Sequence, residues 1–388
     1  MSAARCARFQ APNGVVIAPP SPKKRFRFFP ALAACLLAGC QESPGAFVDG
    51  PESADLAGRI AGHLVVKQGR DTTNNDPRIL ALSLPDLQRS VVRKYSGADR
   101  SLTYTGWVEA ASGPDQEGRI AFVEETAFQS KEYVVKSVRL DGADERELFR
   151  SYGRGLADTL SLSPSGSRIA YVGDVTDAQM PGALLETGPL QVRDQARGKV
   201  LRFGAAVVTQ PPSWFPDSKR LALVELVPKE PIAAQIQAGL GADPKFLSGV
   251  EHWQRLPVIY VLDVETGEKT YLHVGWRPLV SIDGRTVLFR WGSYRLIDVA
   301  TRTSRRISWP GRWLPPIALL PGGLLIYPGL PTRGTEVRRI KYGSFSVGSV
   351  LGSIKVADLE TGRFQTLIEY ADPREKFSFG RVRVREAR

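Results

Sequence analysis

Histidine, serine and glycine patterns determine whether this chain could carry out metal or nucleophilic chemistry. His63, His252 and His273 are scattered along the sequence and form no His-Glu-x-x-His or similar zinc-binding spacing. The sequence also has no Gly-x-Ser-x-Gly nucleophile motif and no Gly-x-x-x-x-Gly-Lys phosphate loop. We therefore predict no catalytic residue, no metal site and no cofactor, and we expect the histidines to be structural.

One cysteine, Cys40, lies at a position where covalent modification is expected. The basic segment Lys23–Arg27 precedes the apolar run Phe28–Gly39, and Cys40 follows directly. The run is shorter than the roughly 20 residues of a membrane-spanning helix. A basic segment, a short apolar run and small residues before a cleavage point are typical of a secretory signal peptide.

The sequence Leu37-Ala38-Gly39-Cys40 resembles the lipobox of bacterial lipoprotein signal peptides. The resemblance implies that residues 1–39 are removed, that a diacylglyceryl group is attached to Cys40, and that the new N-terminus is acylated. Several acyl chains, at about 0.8 kcal/mol per buried CH₂, form a stable membrane anchor. The alternative is a soluble secreted protein whose apolar run merely ends in a cysteine.

Residues 40–58 are predicted to be the lipidated cysteine and a flexible tether, because Gln41–Gly45 is polar and turn-rich. The residue after the cysteine is Gln41 and not aspartate. By resemblance to envelope sorting in Gram-negative bacteria, this favours an outer-membrane lipoprotein that faces the periplasm. Cys6 and Cys35 lie in the predicted signal peptide, so no disulfide is expected within the mature chain.

The formal net charge of +12 is concentrated near the N-terminus. Residues 1–39 contain no acidic side chain, and the remaining chain has 46 basic against 40 acidic side chains. These charges are interleaved along the sequence, which is typical of a mixed solvated surface. We therefore do not expect a nucleic-acid partner.

Two turn-and-strand segments repeat in the body of the chain. One is Leu162-Ser163-Pro164-Ser165-Gly166-Ser167-Arg168-Ile169-Ala170-Tyr171, and the other is Trp214-Phe215-Pro216-Asp217-Ser218-Lys219-Arg220-Leu221-Ala222-Leu223. In each segment a turn rich in Pro, Asp or Gly leads into a short apolar strand. Repetition of one such unit at intervals is the signature of a repeat architecture.

A second repeated element ends a strand with Asp-x-x-Thr-Gly or a related sequence. It occurs after Asp263, Asp298 and Asp358. The carboxylate can bond backbone N–H groups of its own turn, and glycine allows a positive φ angle. We therefore predict a structural and not a catalytic role for these three aspartates.

Both repeated segments resemble the WD-like repeats of TolB-type β-propellers. The resemblance implies an all-β fold for residues 59–388, with six blades of about four strands, or seven as the alternative. The extra strand would then be Leu102–Val108 or the C-terminal strand. A propeller closes by pairing strands from both ends of the chain, so Phe377–Val384 is predicted to complete the first blade.

Two insertions interrupt the repeats and are candidates for a partner-binding surface, since loops on a rigid scaffold often carry function. Lys229–Leu256 contains a predicted helix at Ile232–Leu240, with Pro231 at its start. Pro331–Gly352 is basic and rich in Gly and Ser. The alternative is that both are decoration without function.

The C-terminal half also holds a group of tryptophans, namely Trp253, Trp276, Trp291, Trp309 and Trp313. Such side chains can stack on sugars, but on propeller strands we expect them mainly in the core between blades.

The sequence leaves two predicted functions open. The first is a non-catalytic protein-interaction or assembly module, anchored in the envelope and bound to an envelope protein. The alternative is a propeller that binds or hydrolyses a glycan or peptide in its central funnel.

Overall fold

The structure, a computed structural model, describes a large part of the propeller body. The described residues are 54–68, 78–84, 86, 88–94, 115, 117–125, 132–152, 156, 159–180, 183–207, 211–237, 253–307, 316–329, 340–342, 345–347, 353–369, 377–379 and 383–386. Cys40 and the predicted signal peptide lie outside these ranges, and so does the disputed strand Leu102–Val108.

In the described residues the strands form seven antiparallel sheets. Six of them are the blades, which we number 1 to 6 in chain order, and the seventh is a two-stranded hairpin inserted in blade 6. A short 3₁₀ helix (Ala57–Arg59) leads into blade 1, which contains β1 (Ile60–Gln68), β2 (Arg78–Leu84) and β3 (Arg89–Lys94). Blade 2 contains β4 (Arg119–Glu125), β5 (Glu132–Arg139) and β6 (Arg146–Tyr152). Blade 3 contains β7 (Ser161–Leu162), β8 (Arg168–Val172), β9 (Thr176–Met180), β10 (Ala183–Asp194) and β11 (Val200–Val207).

The second half of the chain forms three further blades. Blade 4 contains β12 (Ser213–Trp214), β13 (Arg220–Pro228), helix α1 (Lys229–Gln237), β14 (Arg255–Asp263) and β15 (Lys269–Val274). Blade 5 contains β16 (Trp276–Val280), β17 (Thr286–Trp291), β18 (Ser293–Asp298) and β19 (Ser304–Arg306). Blade 6 contains β20 (Ala318–Leu319), a 3₁₀ turn (Pro321–Gly323), β21 (Leu324–Gly329), the hairpin β22 (Ile340–Tyr342) and β23 (Phe345–Val347), β24 (Ser353–Asp358) and β25 (Phe364–Glu369).

The C-terminal strands return to blade 1 and close the ring. β26 (Phe377–Phe379) and β27 (Arg383–Glu386) both pair antiparallel with β1. Ile60 lies opposite Glu386, and Val66 lies opposite Phe379. The predicted closure by the C-terminal strand is therefore confirmed, and the propeller has six blades.

Each junction between neighbouring blades has its own apolar cluster, and one of these clusters joins blade 6 to blade 1. In β4, Ile120 and Phe122 belong to the cluster shared with blade 1, whereas Ala121 and Val123 belong to the cluster shared with blade 3. Alternate residues of a strand point to opposite sides of its sheet. A strand that is buried on both sides must therefore be apolar throughout, which explains the uninterrupted apolar runs of the repeats.

The strand order gives the propeller two different faces. Antiparallel neighbours are joined at alternating ends of a sheet, so the first and third connections of each blade lie together. We call this end the turn face. There, Ser165 of blade 3 donates its N–H to the Ser218 hydroxyl of blade 4 over 2.9 Å. We call the opposite end, where the second strand leads to the third, the insertion face.

The predicted start of the helix in the first insertion is wrong. The helix expected at Ile232–Leu240 is α1, which begins at Lys229 because β13 runs directly into it. Its position is set by Ile232, which is buried against residues of β14 and β15.

Candidate functional site on the insertion face

Within the described residues, three blades carry additional structure between their second and third strands. In blade 3, β9 and the first part of β10 form a hairpin in which Thr176 lies opposite Thr187. In blade 4 the same connection carries α1, and in blade 6 it carries the hairpin β22–β23. All three therefore belong to the insertion face.

This topology relates the two insertions predicted from the sequence. The helix of Lys229–Leu256 and the hairpin of Pro331–Gly352 belong to the same face, although the sequence places them in different repeats. Residues 238–252 of the first insertion lie outside the described residues, as does most of the second. The blade 3 hairpin was missed, because β9 and β10 carry no turn motif of the repeated type.

Blade 5 is different, because its second and third strands are joined by a tight turn. Trp291 lies opposite Ser293, and only the exposed Gly292 separates them. Its neighbours, blades 4 and 6, carry α1 and the β22–β23 hairpin at this connection. On the insertion face, blade 5 therefore lacks the additional structure that its neighbours, blades 4 and 6, carry at this connection.

Aromatic side chains meet where blades 4 and 5 adjoin this face. The rings of Trp253 and Trp291 are 6.0 Å apart and nearly perpendicular, and both side chains are partly exposed. Trp276 and Trp291 pack against the cluster between these blades. Trp214 is buried and donates its Nε1–H to the Ser161 carbonyl over 3.1 Å, as expected for a core tryptophan. Trp309 and Trp313 lie outside the described residues.

A narrow apolar cleft of about 10 Å³, roughly enough for one water molecule, lies between blades 3, 4 and 5. Its lining residues come from β8, β11, β13, β16 and the chain before β12, namely Val172, Ala206, Val207, Pro211, Pro212, Ala222, Leu223, Val224 and Pro278. Val172 and Val207 are the last residues of their strands, which places them at the insertion-face end. None of the described residues that line the cleft is charged.

The three aspartates of the second repeated element take the predicted structural role. The side chains of Asp263, Asp298 and Asp358 each accept a hydrogen bond from the backbone N–H three residues later, at 3.0, 2.7 and 3.2 Å. These N–H groups hold the pKa of Asp263 and Asp298 below its usual range. Burial acts to raise the pKa of Asp358, but its N–H partners outweigh this and lower it. Gly267 takes a φ of +78°, and Arg302 takes +57° at the equivalent position of blade 5.

His273 is a core residue, in agreement with the structural role predicted for it. Its side chain is fully buried, with Nδ1 2.7 Å from the Val274 carbonyl and Nε2 3.4 Å from the Ser304 hydroxyl. Burial and the charge of Arg295 together lower the pKa of His273 to about 4, although the bond to the Val274 carbonyl acts to raise it. The imidazole is therefore neutral near pH 7, with its proton on Nδ1. His252 lies outside the described residues.

In the part of the chain that the structure describes, no cluster of three or more His, Cys, Asp or Glu side chains could hold a metal ion. Within the same ranges, no helix has the length and apolar character needed to cross a bilayer. The carboxylates of the repeated turns are engaged by backbone N–H groups. The insertion face, with its aromatic side chains and cleft, is therefore the candidate site.

The strand order and the ring of clusters define a six-bladed β-propeller. Comparison with family models and with curated proteins finds no match. Among solved structures the chain is similar to TolB from Acinetobacter baumannii, at 14% identity and a TM-score of 0.49, over 81% of this chain and 65% of that one. This chain thus covers slightly less than two thirds of that TolB chain.

Two enzymes also contain similar propellers. An oligogalacturonate lyase in complex with manganese is 17% identical, with a TM-score of 0.40, over 80% of this chain and 73% of the lyase. A Mycobacterium tuberculosis puromycin-hydrolysing peptidase is 15% identical, with a TM-score of 0.43, over 76% of this chain and 42% of the peptidase. Identities this low concern the fold alone, and they favour neither a binding nor a catalytic role.

Proposed function

We propose that this protein is an envelope lipoprotein, anchored through Cys40 in the outer membrane of a Gram-negative bacterium and facing the periplasm. Its propeller acts as a non-catalytic protein-interaction or assembly module. The observation that carries this proposal is the concentration of additional structure from blades 3, 4 and 6 on one face. A rigid ring with variable elements on a single face is suited to present a binding surface.

Support for the anchor comes from the sequence. The run Leu37-Ala38-Gly39-Cys40 follows a basic and an apolar segment, in the order that a lipoprotein signal requires. Labelling cells with radioactive palmitate tests this part. The wild-type protein is expected to incorporate label and to fractionate with the outer membrane, whereas Cys40→Ala is expected to do neither. A labelled Cys40→Ala variant would contradict the proposal.

Support for a binding role comes from the side chains of the insertion face. Trp253, Trp276 and Trp291 are partly exposed there, and aromatic side chains are enriched in protein interfaces. The test is photo-crosslinking in cells, with p-benzoylphenylalanine placed at the exposed Glu230 of α1. A matched control places it at the exposed Thr266 on the turn face. A defined protein adduct at Glu230, absent at Thr266, is expected.

The same tryptophans favour a second candidate function, which is the binding or cleavage of a glycan or peptide. This alternative requires carboxylates beside the aromatic side chains. Its test is retention of the protein on peptidoglycan or polysaccharide, compared with a Trp253→Ala and Trp291→Ala double variant. Retention that the double variant loses, without a protein adduct, would replace the first proposal with this one.

A further inference from the structure

Blade 5 carries a local excess of positive charge. Residues 276–306 contain seven arginines and only two acidic side chains, Asp283 and Asp298. Residues 40–388 as a whole contain 46 basic and 40 acidic side chains. This one blade therefore holds most of the excess positive charge of the predicted mature chain.

Both aspartates of blade 5 are engaged within their own turns. Asp283 Oδ1 accepts a hydrogen bond from the Ser281 hydroxyl over 2.6 Å. Asp298 Oδ1 accepts the Thr301 N–H over 2.7 Å and the Thr301 hydroxyl over 3.0 Å. Among the residues that the structure describes, neither aspartate forms a salt bridge. The arginines of blade 5 are therefore not neutralised by acidic side chains of their own blade.

Three exposed arginines of this blade lie towards its turn face. Arg285 belongs to the first connection of the blade and Arg302 to the third, and the Val299 N–H joins these two turns by donating to the Arg285 carbonyl over 2.9 Å. Arg305 of β19 lies opposite Leu296, whose side chain packs between blades 5 and 6. Since opposite residues share one side of a sheet, Arg305 projects on the side of blade 6. We call Arg285, Arg302 and Arg305 the arginine corner.

Unpaired cations are not a general property of the turn face. In blade 2, Arg119 and Arg146 both pair with Asp144, at 2.7 and 2.6 Å, and Arg139 pairs with Asp141 at 3.2 Å. Among the described residues, by contrast, no acidic side chain forms a salt bridge with the arginine corner. Its guanidinium groups therefore present hydrogen-bond donors to an external anion, and their geometry matches a phosphate group.

The chain around β19 offers charge but no apolar anchor. Residues 300–306 read Ala-Thr-Arg-Thr-Ser-Arg-Arg, without a large apolar side chain. Interfaces with a folded protein have a desolvated core with aromatic or other apolar anchors. Binding to an anionic lipid surface is electrostatic and needs no such core. The composition of this corner therefore favours a surface of phosphate groups over a protein partner.

The N-terminal part of the chain meets the propeller at the neighbouring blade. Asp55 pairs with Arg363 at 3.6 Å, and Arg363 directly follows the third connection of blade 6. Arg302 belongs to the same connection of blade 5. The chain that leads back to Cys40 therefore leaves the propeller on the turn face, one blade away from the arginine corner.

The length of this chain limits the distance between the propeller and its proposed anchor. Residues 40–53 separate Cys40 from Ala54, the first described residue. A fully extended chain spans at most about 3.6 Å per residue, so this segment reaches no further than about 50 Å. A propeller anchored through Cys40 thus stays close to a lipid surface, with its arginine corner on the anchored side.

We infer that the arginine corner binds the phosphate groups of anionic phospholipids and holds the propeller with its turn face towards the membrane. The insertion face then points away from the membrane and is open to a partner. This inference rests on the proposed lipid anchor at Cys40 and adds the orientation of the module. Charged side chains on an outer strand also discourage edge-to-edge pairing, and the test separates that role from lipid binding.

The test measures co-sedimentation of the mature chain, residues 40–388, with phospholipid vesicles. The chain carries Cys40→Ala, so that no acyl chain contributes to binding. It is expected to bind vesicles of phosphatidylcholine with about 30 mol% phosphatidylglycerol, and not vesicles of phosphatidylcholine alone. Binding is expected to be lost at about 1 M NaCl, where the Debye length falls to about 3 Å.

The decisive variant combines Arg302→Glu with Arg305→Glu. Each basic side chain near an anionic surface contributes about fivefold to binding, so this variant is expected to bind about thirtyfold more weakly or worse. It keeps β19 charged and is expected to elute like the wild type in size-exclusion chromatography. The single substitution Arg305→Gln, at an exposed position, gives a milder second variant, with about fivefold weaker binding expected.

The matched control combines Arg139→Glu with Arg146→Glu in blade 2. It makes the same change in net charge at two exposed arginines beside a turn-face connection. Unchanged vesicle binding is expected, because these arginines are paired with Asp141 and Asp144.

Three results would overturn the inference. They are equal weakening by the blade 2 control, full binding by the Arg302→Glu and Arg305→Glu variant, and equal binding to vesicles without phosphatidylglycerol. Tighter binding to soluble polyglutamate than to the anionic vesicles, at equal anion concentration, would assign the corner to an acidic polypeptide and overturn the lipid assignment.

The anchor and the arginine corner are measured independently. If Cys40 incorporates palmitate and the Glu230 adduct forms, but the vesicles bind no protein, the proposed function stands and the inference fails. If palmitate labelling fails, the proposed anchor fails whatever the vesicles bind. Palmitate incorporation together with vesicle binding that depends on Arg302 and Arg305 supports both.

Discussion

Arg59, immediately before the first strand, and Asp358, at the end of β24, form an ion pair with a nitrogen–oxygen distance of 3.3 Å. The same junction buries Leu56, which is 2% exposed, in the cluster between blades 1 and 6. The backbone N–H of Ala57 donates to Gln365 Oε1 over 2.6 Å. These contacts hold blades 1 and 6 together on the turn face, and they add to the pairing of β26 and β27 with β1.

These contacts predict unequal effects of two substitutions. Leu56→Ala is expected to lower the free energy of unfolding by about 2–5 kcal/mol, because it leaves a cavity in the closing junction. Arg59→Ala is expected to cost less than about 1 kcal/mol, since the Arg59 side chain is 45% exposed and solvent weakens the ion pair. Urea unfolding measures both, and equal losses would contradict this account.

The pairing of β1 with the C-terminal strands gives a second prediction. Deletion of residues 377–388 would leave β1 as an open edge strand, and open edges promote intermolecular pairing. We expect dimers or larger aggregates in size-exclusion chromatography, with faster proteolysis. Deletion of residues 387–388 alone leaves both described pairings intact and is the control. A monomeric 377–388 deletion would show that closure does not depend on these strands.

The opening turn of blade 3 gives a third prediction. Gly166 has a φ of +73°, and a Cβ atom placed there would overlap with Asp115 Oδ2 in blade 2. Gly362 has a φ of +71° with no atom within 4 Å of such a Cβ. Gly362→Ala therefore measures only the loss of unfolding free energy that comes from placing a Cβ atom at a positive φ, about 1–2 kcal/mol. Gly166→Ala is expected to cost more, because the Asp115 carboxylate also loses its position. Denaturant unfolding of both variants checks the difference.

The buried His273 gives a fourth prediction, on pH dependence. Its pKa is about 4 in the folded protein, against 6.5 for an unperturbed histidine. Between these values the unfolded chain binds a proton that the folded chain does not, so the free energy of unfolding falls as the pH falls. The slope from this residue is about 1.4 kcal/mol per pH unit.

The measurement is the free energy of unfolding between pH 7 and pH 4. His273→Asn cannot titrate and is expected to flatten the slope, whatever its effect on stability at pH 7. The wild-type protein, measured over the same pH range, is the reference for this slope. An unchanged slope in His273→Asn would contradict a buried neutral imidazole.

The turn motifs were predictable because their chemistry is local. Ser163 Oγ accepts the Arg168 N–H over 3.0 Å, and this interaction lies within six consecutive residues. The short apolar strand predicted after this turn is β8. The roles of Asp263 and its equivalents also depend only on neighbouring N–H groups.

The candidate site was less predictable, because it depends on the alignment of different blades. The sequence gives no sign that α1 and the β22–β23 hairpin share a face, since that follows from the strand order. The positive φ of Arg277, +56°, was not predicted either, because it arises where the chain passes from β15 to β16. A Trp-Arg-Pro sequence carries no local signal for such a backbone.

The closing junction also constrains the order of folding. Ala57 and Gln365 are 308 residues apart in sequence, yet they are hydrogen-bonded. During synthesis β1 is made early, whereas its partners β26 and β27 are made last. The blades between them can pack against one another before β1 is paired. Contacts of such high sequence separation form slowly, because a long stretch of chain must be ordered first. The newly made first blade therefore carries an unpaired edge for most of its synthesis, and this is when the protein is most exposed to misassembly.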